Sequence, residues 1–212
     1  LMSIISFIVS YSCYGWGIYR VWSNAISYGT MTMFLSLSGT LTGSVNSLVS
    51  LSRMDEEQSP LKMCDFSLSD AVSETVGSFA DFAAANGHML TAEIAPEILY
   101  HGDEYAIRQM VSILLDNAVK YASDGSPIRL TLEKGKKGPV LRTVNCCEGL
   151  TQQQADKLFD RFYRVDQSRT TGGFGIGLSM ARSIAEGHKG SIKATCREEN
   201  KIEFTVLLGK CV

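Results

Sequence analysis

Alternating glycines that run directly into a helical repeat restrict a chain strongly, and Gly172-Gly173-Phe174-Gly175-Ile176-Gly177-Leu178 is such a stretch. Leu178, Ala181, Ile184 and Ala185 follow at the spacing of one helix face. Glycine reaches positive φ without steric cost, so successive N–H groups can point the same way. Its missing Cβ lets a ligand approach the main chain, and the helix dipole adds partial positive charge at that end. The stretch can therefore seat a phosphate. The alternative is a glycine-rich loop that only turns a corner.

The rest of the chain has the composition of a folded domain. Its 212 residues are 45% hydrophobic with a net charge of −2, enough to bury a full core. The balanced charge leaves no basic face for nucleic acid. Six cysteines, Cys13, Cys64, Cys146, Cys147, Cys196 and Cys211, show no C-x-x-C spacing. They indicate reduced thiols in a cytosolic domain, with neither a zinc site nor a disulfide framework.

Charge changes abruptly near residue 52. From Leu1 to Ser52 only Arg20 is charged, and Arg53-Met54-Asp55-Glu56-Glu57 follows. Leu1 to Ile18 and Ile26 to Leu51 are uncharged runs long enough to cross a bilayer, joined by the polar and aromatic Tyr19 to Asn24. Residues 1–52 are expected to form a membrane hairpin, the alternative being a pair of buried or dimer-forming helices. Residues 53–66 then read as a linker and residues 67–212 as one domain.

Within that domain Ser67-Leu68-Ser69-Asp70 offers a helix cap, followed by Val72, Val76, Phe79, Phe82 and Ala83 at helical spacing. Met89 to Ile94 and Ile98 to His101 read as strands. Asp103 can cap a helix that turns Ile107, Met110, Val111, Leu114 and Ala118 inward. Ile128 to Glu133 with Val140 to Val144, and Ser191 to Arg197 with Lys201 to Leu208, read as hairpins. Three helices on one face of a mixed sheet, an α/β sandwich, is the expected architecture. On the Asp103-capped helix, Asn117 precedes Lys120 and Tyr121 by about one turn, so the three share a face. Magnesium keeps most of its waters and needs only an oxygen ligand on a rigid element, which Asn117 could supply. Asp116 and Lys120 also fit an ordinary solvated helix face.

Leu114-Leu115-Asp116-Asn117-Ala118-Val119-Lys120-Tyr121-Ala122, Leu158-Phe159-Asp160-Arg161-Phe162-Tyr163-Arg164-Val165-Asp166 and the glycine stretch follow one another in order. Together they closely resemble the N, F and G2 boxes of the catalytic ATP-binding domain of sensor histidine kinases, within the Bergerat-type ATPase superfamily. The resemblance covers residues 48–209. It implies a two-layer Bergerat-type sandwich that binds ATP and Mg²⁺, with Asn117 on the metal and Lys120 and Tyr121 lining the phosphate and nucleotide site. Asp116 would accept a proton or position the acceptor. The F box would contribute Phe159 and Phe162 as apolar anchors and Arg164 as a cation. Gly173, Gly175, Gly177 and Leu178 would hold phosphates, with residues 166–173 as a lid.

The implied partners are a histidine-containing dimerisation domain and a response regulator, with homodimerisation, and the implied location is a membrane with the ATP-binding domain on its cytoplasmic side. No phosphoacceptor motif surrounds His88, His101 or His188, so the acceptor histidine is expected on another chain or a missing region. A nucleotide-binding regulatory module and a gyrase-like ATPase are the alternatives. Residues Gly15 to Ser50 also resemble the last membrane helices of an ABC exporter subunit, either native to this chain or joined to it from a second gene.

The base site departs from the family pattern D-x-G-x-G. Here Asn145-Cys146-Cys147-Glu148-Gly149 puts Asn145 in the aspartate's place and Cys147 in that of the first glycine. An asparagine carbonyl can still accept from adenine. Replacing a charge-assisted bond by a neutral one weakens binding on the order of tenfold. Its NH₂ could also turn to guanine, which implies weaker discrimination. The alternative is that Asn145 merely ends a strand while Cys146 packs in the core.

Overall fold

The computed structural model describes residues 61–165, 175–198 and 200–209. The hairpin and exporter likeness of residues 1–52 and the expected lid at residues 166–173, with Gly173 in it, lie outside them. Among the described residues no helix is long and apolar enough to cross a membrane.

Among the described residues seven strands and four helices follow the order β1 (Cys64–Ser67), α1 (Leu68–Ala85), β2 (Leu90–Ile94), β3 (Leu99–Gly102), α2 (Glu104–Tyr121), β4 (Ile128–Gly135), β5 (Gly138–Cys146), α3 (Gln152–Lys157), α4 (Gly177–Gly187), β6 (Ser191–Arg197) and β7 (Lys201–Leu207). The main sheet runs β2-β4-β5-β7-β6. It is mixed, because β2 pairs with β4 in parallel while every other pair is antiparallel. A parallel pair needs a crossover, and α2 lies in the one between β2 and β4. β1 and β3 form a separate antiparallel ribbon. That strand falls partly in the stretch expected as linker, where Cys64-Asp65-Phe66-Ser67 has too little alternation to announce it.

The core is one layer thick. Strand alternation turns Leu130, Leu132, Leu141, Phe204 and Val206 to one face, where they meet Ile107, Met110 and Leu114 of α2 and Ala181 and Ile184 of α4 in one buried cluster. The expected two-layer sandwich is thus formed. The cap of α1 is Ser67, which accepts from the Asp70 amide, and that of α2 is Asp103, which accepts from the Ala106 amide. Arg108 ties the two helices, donating to Glu104, Glu74 and the Ala71 carbonyl. The expectation for Phe82 is corrected. It is exposed, edge-on to Phe79 at 6.0 Å, because the covered stripe of α1 runs through Val72, Val76, Phe79 and Ala83 and leaves position 82 beside it.

His188 joins α2 to α4. Its Nε2 accepts from the Asp103 amide at 2.9 Å, which requires the proton on Nδ1, and Nδ1 donates to the Ile184 carbonyl at 2.8 Å.

Candidate functional site

Helix α2 carries the first group of candidate residues. Ala118 and Val119 are buried, Asp116 and Asn117 are half-buried, and Lys120 and Tyr121 are exposed. The side that carries Asn117, Lys120 and Tyr121 therefore faces away from the core, as their spacing predicts. Lys120 Nζ reaches Asp116 Oδ2 at 2.6 Å, an i,i+4 pair. The cation is thus held on its own helix, beside the carboxylate proposed to take a proton.

The helix ends at Tyr121, and the Ser123 amide then donates to the Cys146 carbonyl at 2.9 Å. This bond fastens the end of α2 to the end of β5, bringing together two motifs more than twenty residues apart. On β5, alternation turns Asn145 inward and leaves Cys146 half-buried on the other face. That is the reverse of a merely strand-ending asparagine beside a core cysteine. Asn145 is 1% exposed. Its Nδ2 donates to the Cys146 carbonyl at 3.2 Å, and its Oδ1 is buried with no partner. Leaving a buried acceptor unpaired costs about 1–3 kcal/mol, so the position is suited to a donor brought by a ligand. Two residues earlier on the same face, Thr143 is fully buried with its hydroxyl also unpartnered. Sequence reading missed it, because a threonine in an alternating strand looks like any β-branched core residue.

Cys147 leads away from β5, its amide donating to the Asn200 carbonyl. Burial, then the neighbouring Cys196 and Glu148, push the Cys147 thiol above its ordinary value and keep it protonated. Gly149 follows at φ +72 with open space where a Cβ would stand, so glycine is needed there for its conformation alone.

The F box divides. Phe159 is buried edge-on against Phe204 at 6.2 Å, a core anchor that does not itself reach outward. Phe162 corrects the expectation of a second anchor: it is 64% exposed at φ +65. The cause is the chain path, since the Phe162 amide donates to the Gly175 carbonyl at 2.9 Å. Gly175, at φ +70, could not carry a side chain, because its Cβ would stand 2.8 Å from the Tyr163 carbonyl oxygen. This glycine serves the docking of F box on glycine loop, a role that its phosphate-seat spacing does not reveal. Arg164 is half-buried at the end of the same turn.

Gly177 opens α4, whose first turn has no side-chain cap and no acidic residue. Such an end favours an anion. A Cβ at Gly177 would lie 3.4 Å from Ile113 Cγ2, and Ile113 is one helical turn before Asn117. The uncapped start of α4, Leu178 included, is therefore brought beside the Asn117 side of α2. The two helices are also joined by Gln109 Nε2 on Met180 Sδ at 3.2 Å.

Comparison with known proteins agrees with this arrangement. Residues 102–210, just over half of the chain, match the family described as Histidine kinase-, DNA gyrase B-, and HSP90-like ATPase. The chain is 31% identical over 165 residues to the sensor protein DltS of Streptococcus agalactiae, covering 77% of this chain and 42% of DltS. It is 30% identical over 172 residues to the signal transduction histidine-protein kinase BaeS of Escherichia coli, covering 80% of this chain and 37% of BaeS. The chain thus spans about two fifths of the length of these relatives. In structure it resembles the Acinetobacter baumannii histidine kinase AdeS with a TM-score of 0.71 at 20% identity, covering 93% of this chain and 92% of that one. These relatives give the exporter likeness of residues 1–52 no support. With its motifs in order, its sandwich formed around them and the family matched across α2, β5 and α4, the chain belongs to the histidine kinase-, DNA gyrase B- and HSP90-like ATPase family.

Proposed function

We propose that this domain binds Mg-ATP and presents the γ-phosphoryl group to a histidine supplied by another chain or by a region outside this one, as the catalytic domain of a two-component sensor kinase. The observation that carries the reading is the buried, unpartnered Oδ1 of Asn145, at the point where the Ser123 amide ties α2 to β5. ATP, when bound, supplies the transferable phosphoryl group. Asn145 accepts from the amino group of the base, and Gly149 shapes the loop beside it. The amides of Gly177 and Leu178 face the phosphates at the start of α4, with Gly175 just before it; Gly173 is assigned to the same phosphate seat by its place in the glycine motif. Asn117 offers its oxygen to Mg²⁺, and Lys120, Tyr121 and Arg164 line the outer part of the site. Catalysis is then chiefly positioning and charge neutralisation.

Asp116 has two uses in this reading. Released from Lys120, it takes the acceptor's proton; paired, it holds the cation in place. The pairing favours one other reading, a nucleotide-binding module that regulates a partner without transfer. A gyrase-like ATPase would instead release phosphate to water. The implied partners are a histidine-containing dimerisation domain, a response regulator and a second copy of the chain, with residues 1–52 serving a membrane and the domain on its cytoplasmic side.

The test is titration of the chain with ATP with and without Mg²⁺, followed by transfer of labelled phosphate to a separate histidine-containing dimerisation domain. Asn117→Ala should remove the Mg²⁺-dependent part of binding and leave the melting temperature unchanged, because Asn117 is half-buried and outside the core cluster. Full Mg²⁺-dependent affinity in that variant would refute the metal assignment.

A further inference from the structure

We propose that the end of the sandwich opposite the nucleotide site is a lysine-lined docking surface for anionic lipid headgroups, and that it sets the domain with its nucleotide end turned away from the bilayer. The inference is independent of the phosphoryl-transfer reading. Its choice of a lipid over another anion rests on the membrane reading of residues 1–52.

The ends of β5 and α2 and the start of α4 lie at the nucleotide end, so the starts of β5 and α2 and the end of α4 lie at the other. Lys136 and Lys137 form the turn that joins β4 to β5, with Lys134 just before it. Gly138 follows the turn and lies against the end of β7, where a Cβ on it would run into the Leu208 carbonyl oxygen. The Gly209 amide donates to the His188 carbonyl at 3.2 Å, and a Cβ on Gly209 would stand 3.1 Å from Lys189 Cβ. A Cβ on Gly187 would stand 3.1 Å from Leu61 Cδ1, and the Lys62 amide donates to Asp103 Oδ2 at 2.9 Å. The β4–β5 turn, the end of α4 and residues 61–62 therefore make one continuous surface.

Lys62, Lys134, Lys136, Lys137 and Lys189 are exposed, and none has an ion pair among the described residues. The arginines are used differently: Arg108, Arg129, Arg142, Arg182 and Arg197 each meet a carboxylate of the domain. Three carboxylates of this end, Glu104, Glu133 and Glu186, are partners of those arginines. Asp103 accepts from the Lys62 and Ala106 amides, and Glu97 stands exposed in the turn after β2. The lysines remain in excess. A lysine is a compact, hydrated point charge on a flexible stem, which suits a diffuse anionic plane better than a fixed fork of oxygens. Each one near an anionic leaflet strengthens binding about fivefold, until salt screens it. In sequence, residues 53–60 separate this end, at Leu61, from the uncharged run read as a membrane hairpin. With the lysines on the leaflet, the ends of β5 and α2 and the start of α4 face away from it, open to nucleotide and to an acceptor histidine.

The experiment is acetylation of the full chain with an N-hydroxysuccinimide ester, the rate at each lysine being read by mass spectrometry. Vesicles are of phosphatidylcholine alone or mixed with phosphatidylglycerol, neither of which carries a reactive amine. The mixed vesicles should slow acetylation of Lys62, Lys134, Lys136, Lys137 and Lys189 at least about threefold relative to phosphatidylcholine, and about 1 M salt should abolish the difference. Lys120, at the end of α2, and Lys157, on the helix that Gln152 fastens to Cys196 at the far end of β6, should not change. Lys136→Ser combined with Lys137→Ser removes two contributions, about 25-fold in affinity, and should lower the protection of Lys62, Lys134 and Lys189. Equal rates with the two kinds of vesicle would overturn the proposal. So would equal protection of Lys120 and Lys157, protection that survives about 1 M salt, or protection unchanged in the double variant. Polyglutamate of the same total charge protecting as strongly as the mixed vesicles would assign the surface to an acidic protein and likewise overturn it. Flotation tests the hairpin separately: a chain that floats only when phosphatidylglycerol is present would refute the hairpin and support the lysine surface.

Discussion

Replacing Gly175 by alanine tests the docking of the F box on the glycine loop. The residue sits at φ +70, and a Cβ there would stand 2.8 Å from the Tyr163 carbonyl oxygen, 2.9 Å from the Phe162 carbonyl carbon and 3.1 Å from the Phe162 Cα. All three are backbone atoms, so no side chain can swing aside. The left-handed conformation costs an alanine about 1–2 kcal/mol. Relieving the clash requires the two segments to part, which breaks the 2.9 Å bond from the Phe162 amide to the Gly175 carbonyl and adds about 0.5–1.5 kcal/mol.

Together the two contributions come to about 1.5–3.5 kcal/mol. Gly149→Ala is the control. It has φ +72 with nothing near its Cβ, so it should show the conformational cost alone, about 1–2 kcal/mol. If the F box opens locally, less of the cost appears in global stability, and the opening is reported by proteolysis. The assays are urea unfolding of both variants and the rate of tryptic cleavage after Arg161 and Arg164. Gly175→Ala should be cleaved faster than wild type, and Gly149→Ala should not. Equal stability and equal cleavage in the two variants would refute the steric argument.

Two further outcomes are expected. His188→Ala leaves the Asp103 amide without its partner and takes the side-chain bond from the Ile184 carbonyl, which keeps only the His188 amide, and should destabilise the domain by about 2–4 kcal/mol in chemical denaturation; a loss under about 1 kcal/mol would contradict a buried structural role. Burial works to raise the Glu203 carboxyl, but hydrogen bonds from Arg197 and Thr205 and the charges of Arg197 and Arg142 outweigh it and hold the group below its ordinary range. Its folded value is thus lower than its unfolded one, so its contribution is complete above the ordinary carboxylate range and is lost as pH falls through the lowered value. The stability gap between wild type and Glu203→Gln, measured by urea titration, should therefore shrink between about pH 7 and about pH 3. A gap that stays constant or widens in acid would refute the assignment.

Local chemistry was sufficient to place the caps Ser67 and Asp103, the buried stripe of α2 and both long hairpins, because each depends on residues close together in the chain and on a period of 3.6 or 2. Motif order was sufficient for the family. The contacts that decide the site lie beyond that range. Nothing in Asn145-Cys146 announces that a carbonyl is shared with Ser123, or that this bond orients the amide. Phe159 and Phe162 look alike in sequence, yet one fills the core against Phe204 and the other is held out at positive φ by the Gly175 carbonyl. Gly175 and Gly149 are both glycines at positive φ, and only the neighbouring backbone makes one of them also a steric requirement. Periodicity fixes which way a side chain faces along its own element. What it meets there depends on segments brought together by burial of a common core, and those partners were decided only when β5, α2 and α4 closed around Asn145 and Asn117.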